Sequence, residues 1–419
     1  MSDQPENIVV IGASHAGVAF ADAMRSNGYG GALTMIDAVP GLPVERPPLS
    51  KAFLASDAAN DAKFLLRKAD WYDAQNIQLI TGSVVTGVDA DAQMILLKDG
   101  ASLSYDRLVL ATGATPRMLP NAVGLDNVFV VRSPDDARAL RAALSSAQKA
   151  VVIGGGYIGL EAAASLRKGG MDVDVIEAAD RLLARVASTD ISAFFADLHA
   201  ANGVRLHIGV GVAEILSADG AFSGVTMADG TQIEADLLIV GIGVAPDIAL
   251  AQMAGVECSD AILVDAQMTT SVETIYAIGD GALAADIAPM VAGRPLRVES
   301  VHNAQDSAAR AAAAINGHAP PAWQAPWFWS EQYDVRLQSA GIVPPAGADT
   351  HQVVRPGKRE GGLSVWSFAG DQLEAIESVR DPAGYMVGKK CLDMGHHPTP
   401  AQVADMDFDL KSFIAGTAK

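Results

Sequence analysis

Residues 149–177, KAVVIGGGYIGLEAAASLRKGGMDVDVIE, decide the fold of this chain. The stretch opens with a short β-branched apolar run, Val151-Val152-Ile153, and turns through Gly154-Gly155-Gly156. An apolar segment of helical period follows, then a break at Gly169-Gly170, then a second apolar run closed by Glu177. This is the order of a βαβ unit. Gly154, Gly156 and Gly159 complete a GxGxxG turn. The first permits a tight turn, the second lets the backbone approach a pyrophosphate, and the third lets helix and strand pack closely. The helix N-terminus supplies free N–H groups and a positive dipole end for the phosphates. Glu177 lies 23 positions after Gly154. A carboxylate there can accept hydrogen bonds from ribose hydroxyls and would repel a 2′-phosphate, so the turn reads as an NADH site.

Residues 7–37, NIVVIGASHAGVAFADAMRSNGYGGALTMID, repeat the pattern. Here the turn is Gly12-Ala13-Ser14-His15-Ala16-Gly17 and the closing acid is Asp37. Ser14 replaces the middle glycine, and its small side chain still leaves room for a pyrophosphate. Two remote turns support this first site: Ala111-Thr112-Gly113 and Gly279-Asp280, each at the end of an apolar strand. Asp280 is placed to hold a ribityl hydroxyl. The duplicated unit is a supersecondary repeat and not a solenoid.

Around these units, strands are expected at Arg107–Ala111, Leu237–Val240 and Ile275–Ile278. Paired strands are expected at Leu363–Phe368 and Leu373–Val379, and a helix over the Ala-rich stretch Ala308 to Ile315. A Pro-bearing crossing lies at Pro116–Pro120, a boundary at Pro320–Pro326, and a terminal helix starts near residues 398–400. The fold class is α/β: two Rossmann-like dinucleotide-binding domains, one for FAD and one for NAD, plus an α+β C-terminal domain. The expected division is residues 1–115 with 245–322 for FAD, 116–244 for NAD, and 323–419 for the C-terminal domain.

The 419 residues suffice for two or three domains with real cores. A net charge of −19 argues against nucleic acid as the main partner. It leaves room for an acidic protein partner that docks on a local basic patch. The two cysteines, Cys258 and Cys391, form no CxxC pair, and the histidines show no HxxxH spacing. A local redox disulfide and a metal site are therefore not expected. The polar start, MSDQPEN, does not read as a signal peptide, and no apolar run is long enough to span a bilayer. A cytoplasmic protein without membrane partners is the plain reading.

One further segment is specific: Arg46-Pro47-Pro48-Leu49-Ser50-Lys51. Together with GASHAG, ATGATPR, VIEAADRLLARVAS, VGIGVAPD, YAIGD, RVESVHNA and PWFWSEQYDVRLQSAG, it makes nearly the whole chain resemble the FAD-dependent ferredoxin reductases of the putidaredoxin-reductase type. These belong to the glutathione-reductase-like superfamily. Disulfide reductases of that superfamily carry redox cysteines, whereas this chain has none between Met1 and Glu257. Read alone, Lys51 would be a solvated lysine and Glu161 a charge on a helix face. The resemblance implies instead that Lys51 lies near flavin N5, pairs with Glu161, and stabilises charge developing on reduction.

The resemblance further implies that Tyr157 and Ile158 flank the nicotinamide and flavin, and that Glu299 meets the carboxamide. Arg46, Pro48, Ala16, Val84, Ala111, Thr112, Arg132, Gly279 and Val301 match FAD-contacting positions. Arg185 and Gly243 match positions on the nicotinamide side. Trp329 is placed near the flavin edge, with a core aromatic as the alternative. His302 follows Val301 where several relatives have proline.

The implied reaction is hydride transfer from NADH to FAD. Single electrons then pass to an acidic, transiently docked 2Fe-2S ferredoxin that serves a haem monooxygenase or Rieske-type oxygenase. Arg294, Arg297, Arg310, Lys389 and Lys390 are candidates for the docking patch, and the chain is expected as a monomer or weak dimer. A rubredoxin or other small-acceptor reductase and a flavin redox sensor that does not turn over stand as alternatives. An NADH oxidase is disfavoured by the missing redox cysteine.

Overall fold

The computed structural model describes residues 5–291, 293–344 and 350–417. The first four residues of the polar N-terminal stretch lie outside these. Contacts divide the chain into two compact units. One comprises Met1–Arg46, Ala59–Thr115 and Val244–Ala322; the other comprises Pro47–Ala58, Pro116–Gly243 and Trp323–Lys419.

In the first unit, β1 (Asn7–Ile11), α1 (His15–Ser26) and β2 (Ala32–Asp37) make the expected βαβ unit. Its five-stranded sheet runs in the order Ile275–Ala277, Arg107–Leu110, β1, β2, Gln78–Thr81, with every pair parallel. Ile8, Val9 and Val10 are buried in succession, as a parallel sheet covered on both faces requires. Chain order reverses on either side of β1, so a crevice opens at its carboxyl end, where Gly12 begins the turn. The Ala-rich stretch lies in a longer helix, Val301–Ile315, capped by the Ser300 hydroxyl, and its small residues pack on α1.

In the second unit, β3 (Lys149–Ile153), α2 (Tyr157–Lys168) and β4 (Asp172–Glu177) repeat the arrangement. The parallel sheet order is Arg205–Ile208, β4, β3, Leu237–Val240, Val128–Phe129. Helix α3 (Thr189–Ala201) follows β4. The same unit holds an antiparallel sheet that contains β5 (Trp327–Gln332) and β6 (Gln372–Val379). Its order is β5, Val335–Gly341, β6, Leu363–Ala369, His351–Pro356. The expected strand pair near 363 and 373 is present as Leu363–Ala369 against β6.

Residues 47–58 join this unit because Arg141 fastens them. Its guanidinium donates to the carbonyls of Phe53 at 3.2 Å and Ser56 at 3.0 Å, and it lies over the Phe53 ring. The expected terminal helix is split into Pro400–Ala404 and Leu410–Thr417. Asp405 and Asp409 turn their carboxylates onto the N–H groups of Asp407 and Lys411, which starts a new turn between the two pieces. Among the described residues, no helix is long and apolar enough to cross a membrane.

Candidate functional site

In the first unit, three turns that are remote in sequence converge. A Cβ on Gly12, whose φ is +106°, would lie 2.2 Å from the Ala111 carbonyl oxygen. Likewise, a Cβ on Gly281 would meet Gly113, and one on Gly279 would touch Ala16 at 3.0 Å. The Gly12–Gly17, Ala111–Gly113 and Gly279–Asp280 segments therefore share one floor, and glycine is required where they touch. Thr112 Oγ1 donates to the Asp247 carbonyl at 2.7 Å, which locks the second turn. Arg297 donates to the Asp280 carbonyl at 2.7 Å, which locks the third.

Asp37 closes the cradle, with its carboxylate accepting the Ala13 N–H at 2.7 Å and the Val39 N–H at 2.8 Å. Val84 is exposed on the neighbouring segment, where Ser83 N–H donates to the Asp37 carbonyl. Ser14 is held by Arg46, whose Nε donates to its hydroxyl at 2.8 Å. The substituted position thus keeps its side chain tied to a cation. A glycine floor, a helix whose first turn has no side-chain cap, and a carboxylate at the second strand end fit a dinucleotide such as FAD.

The second unit repeats this geometry. Gly154 has φ +109°, and a Cβ there would lie 2.4 Å from the Gly241 carbonyl oxygen. Glu177 accepts the Gly155 N–H at 2.6 Å and the Ala179 N–H at 2.7 Å, the counterpart of Asp37. At Gly156, the counterpart of Ser14, a Cβ would meet nothing within 4 Å. Among the protein's own atoms, the middle position therefore has room for a small side chain such as serine's. Exposed Arg185 approaches Gly243, where a Cβ would lie 3.5 Å from its guanidinium. Turn, distal acid and cation fit a second dinucleotide.

Helix α2 carries more than the turn. Tyr157 and Glu161, four residues apart, share a face. Phe328, Ser330 and Gln332 alternate onto one face of β5. The two faces meet: Tyr157 packs on Phe328 with ring centroids 4.4 Å apart, and Ser330 Oγ donates to Glu161 Oε1 at 2.7 Å. Lys51 Nζ lies 2.8 Å from the same Oε1, and the two side chains are 15% and 6% exposed. The solvated reading of Lys51 and Glu161 does not hold.

Ser50 donates to Glu161 Oε2 at 2.6 Å, and its own carbonyl accepts from Ser165 at 2.6 Å. Glu161 and Ser165, one turn apart on α2, thus grip Ser50 from two sides and fix Pro48 through Lys51. Ile158 is exposed at the start of the helix. The Tyr157 hydroxyl is pushed up by burial, with the Glu377 and Glu161 carboxylates adding to the effect.

Four other expected residues sit in helix caps, an ion pair and a strand. The Arg132 N–H donates to Asp136 in a helix cap of the second unit. Glu299 is exposed in the first unit and pairs with Arg297. Val301 opens the helix capped by Ser300. Trp329 is half-buried beside Trp327, with centroids 5.6 Å apart.

The docking-patch expectation needs a correction at Arg310. Its side chain is 8% exposed and its Nε bonds Asp306 at 2.6 Å, so it cannot present charge to a partner. Its helix face is the one packed inward among alanines. Lys389 is tied to Asp393 and Arg297 to Glu299, which leaves Arg294 and Lys390 as the exposed members.

Ser50 and Ser330 were missed as site residues. Both stand inside the two most specific segments, so the signal was at hand, but their separation from Glu161 by 111 and 169 positions hid the contact.

A family model described as pyridine nucleotide-disulphide oxidoreductase matches residues 6–308, and one described as reductase C-terminal matches residues 327–414. Rhodocoxin reductase of Rhodococcus erythropolis is 44% identical over 98% of this chain and 94% of its own. Putidaredoxin reductase of Pseudomonas putida is 38% identical over 98% and 97%. Among solved structures, the covalent putidaredoxin reductase–putidaredoxin complex superposes with a TM-score of 0.92, 37% identity and 99% coverage of each chain. The resemblance drawn from the motifs and the glutathione-reductase-like fold are both borne out.

Proposed function

The chain belongs to the pyridine nucleotide-disulphide oxidoreductase family, and from that premise we propose that it is an NADH-dependent ferredoxin reductase. It is an oxidoreductase that uses FAD and NAD(H). The first unit's turns, Gly12–Gly17, Ala111–Gly113 and Gly279–Asp280, with Asp37, Arg46 and Val84, hold the FAD. Gly154–Gly159, Glu177, Arg185 and Gly243 hold the NADH. Arg132, Glu299, Val301 and Trp329 complete the cofactor contacts. Residues 116–244 and 323–419, which but for Val244 pack together in the second unit, act as the NAD and C-terminal domains.

When bound, the flavin supplies hydride acceptance and the release of single electrons. The chain's own contribution is orientation and charge. Glu161, fixed by two serine hydroxyls, holds Lys51, and a lysine cation beside the flavin stabilises negative charge as it develops. The α2 helix joins that pair to the NADH turn within one helical turn, so a displacement of one moves the other.

One observation carries the choice of acceptor. Both cysteines are free, and they lie in different units, Cys258 in the first and Cys391 within the buried core of the second. Unpaired, they form no disulfide that could relay electrons, so electrons leave to an external carrier. The relatives are named for ferredoxin-type carriers, and a 2Fe-2S ferredoxin of acidic surface is the partner proposed here, docking as a transient complex on a monomer or weak dimer in the cytoplasm. It would serve a haem monooxygenase or Rieske-type oxygenase.

Anaerobic mixing of the purified holoenzyme with NADH and a co-encoded 2Fe-2S ferredoxin tests this. Catalytic bleaching of the ferredoxin is expected. Reduction of ferricyanide or rubredoxin with no reduction of any such ferredoxin overturns it.

A further inference from the structure

A row of buried polar side chains runs outward from Glu161. Ser330, Gln332 and His199 are 0%, 1% and 0% exposed. Ser330 Oγ lies 2.7 Å from Glu161 Oε1, and Gln332 Nε2 lies 3.2 Å from Ser330 Oγ. Gln332 Oε1 is 2.8 Å from His199 Nε2, and the Tyr333 hydroxyl is 3.3 Å from His199 Nδ1.

Hydrogen-bond chemistry fixes the direction of every link. A carboxylate only accepts, so the Ser330 hydroxyl spends its proton on Glu161 and offers a lone pair to Gln332. The Gln332 amide must then turn its NH2 to Ser330 and its oxygen to His199. That oxygen only accepts, so His199 Nε2 carries the ring proton. Nδ1 is left to accept from Tyr333. All four donors point toward Glu161.

The protonation states agree. Burial pushes the His199 imidazole down, which keeps it neutral. Burial raises the Tyr333 phenol to about 12, which keeps its proton available to donate. The Tyr333 ring packs edge-on against His199 at 5.2 Å.

Burying this row is costly unless each group is paired, and apolar residues of similar size would fill the same space without that demand. The row ends on the carboxylate that holds Lys51.

We propose that Ser330, Gln332, His199 and Tyr333 are positioning residues, a one-directional hydrogen-bond relay that fixes the Glu161 carboxylate and so aims Lys51. This rests on the reading that the Lys51–Glu161 pair tunes the flavin. Fixed dipoles that converge on a buried charge cost no reorganisation when charge develops nearby. Ser50 closes the second carboxylate oxygen from the opposite side.

The test uses the FAD-loaded enzyme and three readouts. Ring ¹⁵N NMR should show His199 as the Nε2–H tautomer, still neutral at a pH below the ordinary imidazole value. Ser330→Ala should move the flavin midpoint potential to a more negative value. It should also slow flavin reduction by saturating NADH about tenfold, the effect of removing one hydrogen bond to a charged group, with half-saturation by NADH unchanged. Gln332→Leu cuts the relay one link further out, preserves the packed volume, and should shift both quantities the same way.

In a Lys51→Met background the added effect of Ser330→Ala should fall below about twofold, because the relay acts through Lys51. Equal effects in both backgrounds, an unshifted potential in both Ser330→Ala and Gln332→Leu, or an Nδ1–H tautomer at His199 each overturn the relay. If Lys51→Met itself leaves potential and rate at wild-type values, the reading of the ion pair fails and the relay fails with it.

Discussion

The Glu177 carboxylate accepts the Gly155 N–H at 2.6 Å, so the acid at the end of β4 is fastened to the turn that opens α2. Its other oxygen accepts from Ala179, which leaves the charge aimed along the strand end. Two unit charges about 4 Å apart repel by roughly 1–4 kcal/mol between water-like and surface dielectrics. A 2′-phosphate at this strand end should therefore be rejected. Glu177→Gln keeps an acceptor for Gly155 and removes the charge. The ratio of kcat/KM for NADPH to that for NADH should rise at least about tenfold. An unchanged ratio would remove Glu177 from cofactor choice.

The third glycine of each turn separates the two sites. A Cβ on Gly17 would lie 2.0 Å from the Gly12 carbonyl oxygen, and one on Gly159 would lie 2.1 Å from that of Gly154. Both neighbours are backbone and cannot step aside cheaply. Gly17→Ala should yield colourless protein with less than about a tenth of the wild-type flavin content. Gly159→Ala should stay yellow and remain reducible by dithionite, yet lose reduction by NADH. Flavin absorbance and NADH bleaching measure both. Yellow Gly17→Ala protein would contradict the assignment of the first turn to FAD.

The two βαβ units were legible because their periodicity, glycines and closing acids are local, within about 30 positions of one another. The Lys51–Glu161 pair was not local. The resemblance supplied it, whereas no spacing rule could join residues 110 positions apart. The His199–Gln332–Ser330 row was invisible for the same reason, since it needs the register of β5 against α2 and α3.

Arg310 failed differently. In the mostly alanine stretch from Ala308 to Ile315, the apolar face has no clear edge, so charge alone suggested exposure. Packing against α1 and the bond to Asp306 put the guanidinium inside.

That placement makes Arg310 a control for docking. Arg310→Glu would set like charges against Asp306 in a buried site, with an expected loss of about 2–3 kcal/mol and a lower melting temperature. Lys390→Glu and Arg294→Glu change exposed charges and should leave the melt nearly unmoved. If either lies in the docking face, it should slow ferredoxin reduction severalfold at low ionic strength, and the effect should fade at high salt. Wild-type salt dependence in both would place the docking face elsewhere.

Glu377 gives the chain a stability that falls as pH rises. It sits in β6 with no exposed surface, and both carboxylate oxygens take the Ser188 N–H, at 3.2 and 3.0 Å. Burial raises its carboxyl from 4.5 to about 7, against the opposing pull of Ser188 and Arg181 and with Asp190 adding to the rise. Once unfolded, the same group ionises near its ordinary value. Between about pH 4.5 and 7, then, the folded chain keeps a proton that the unfolded chain has lost. Stability from this group is greatest below that window, declines across it, and levels off above about 7, lower by about 3 kcal/mol. Glu377→Gln keeps an acceptor oxygen for Ser188 and cannot ionise. The variant should match the wild type in melting temperature near pH 4.5 and melt several degrees higher near pH 8. Parallel melting curves for the two proteins across that range would show that Glu377 is not the group that titrates.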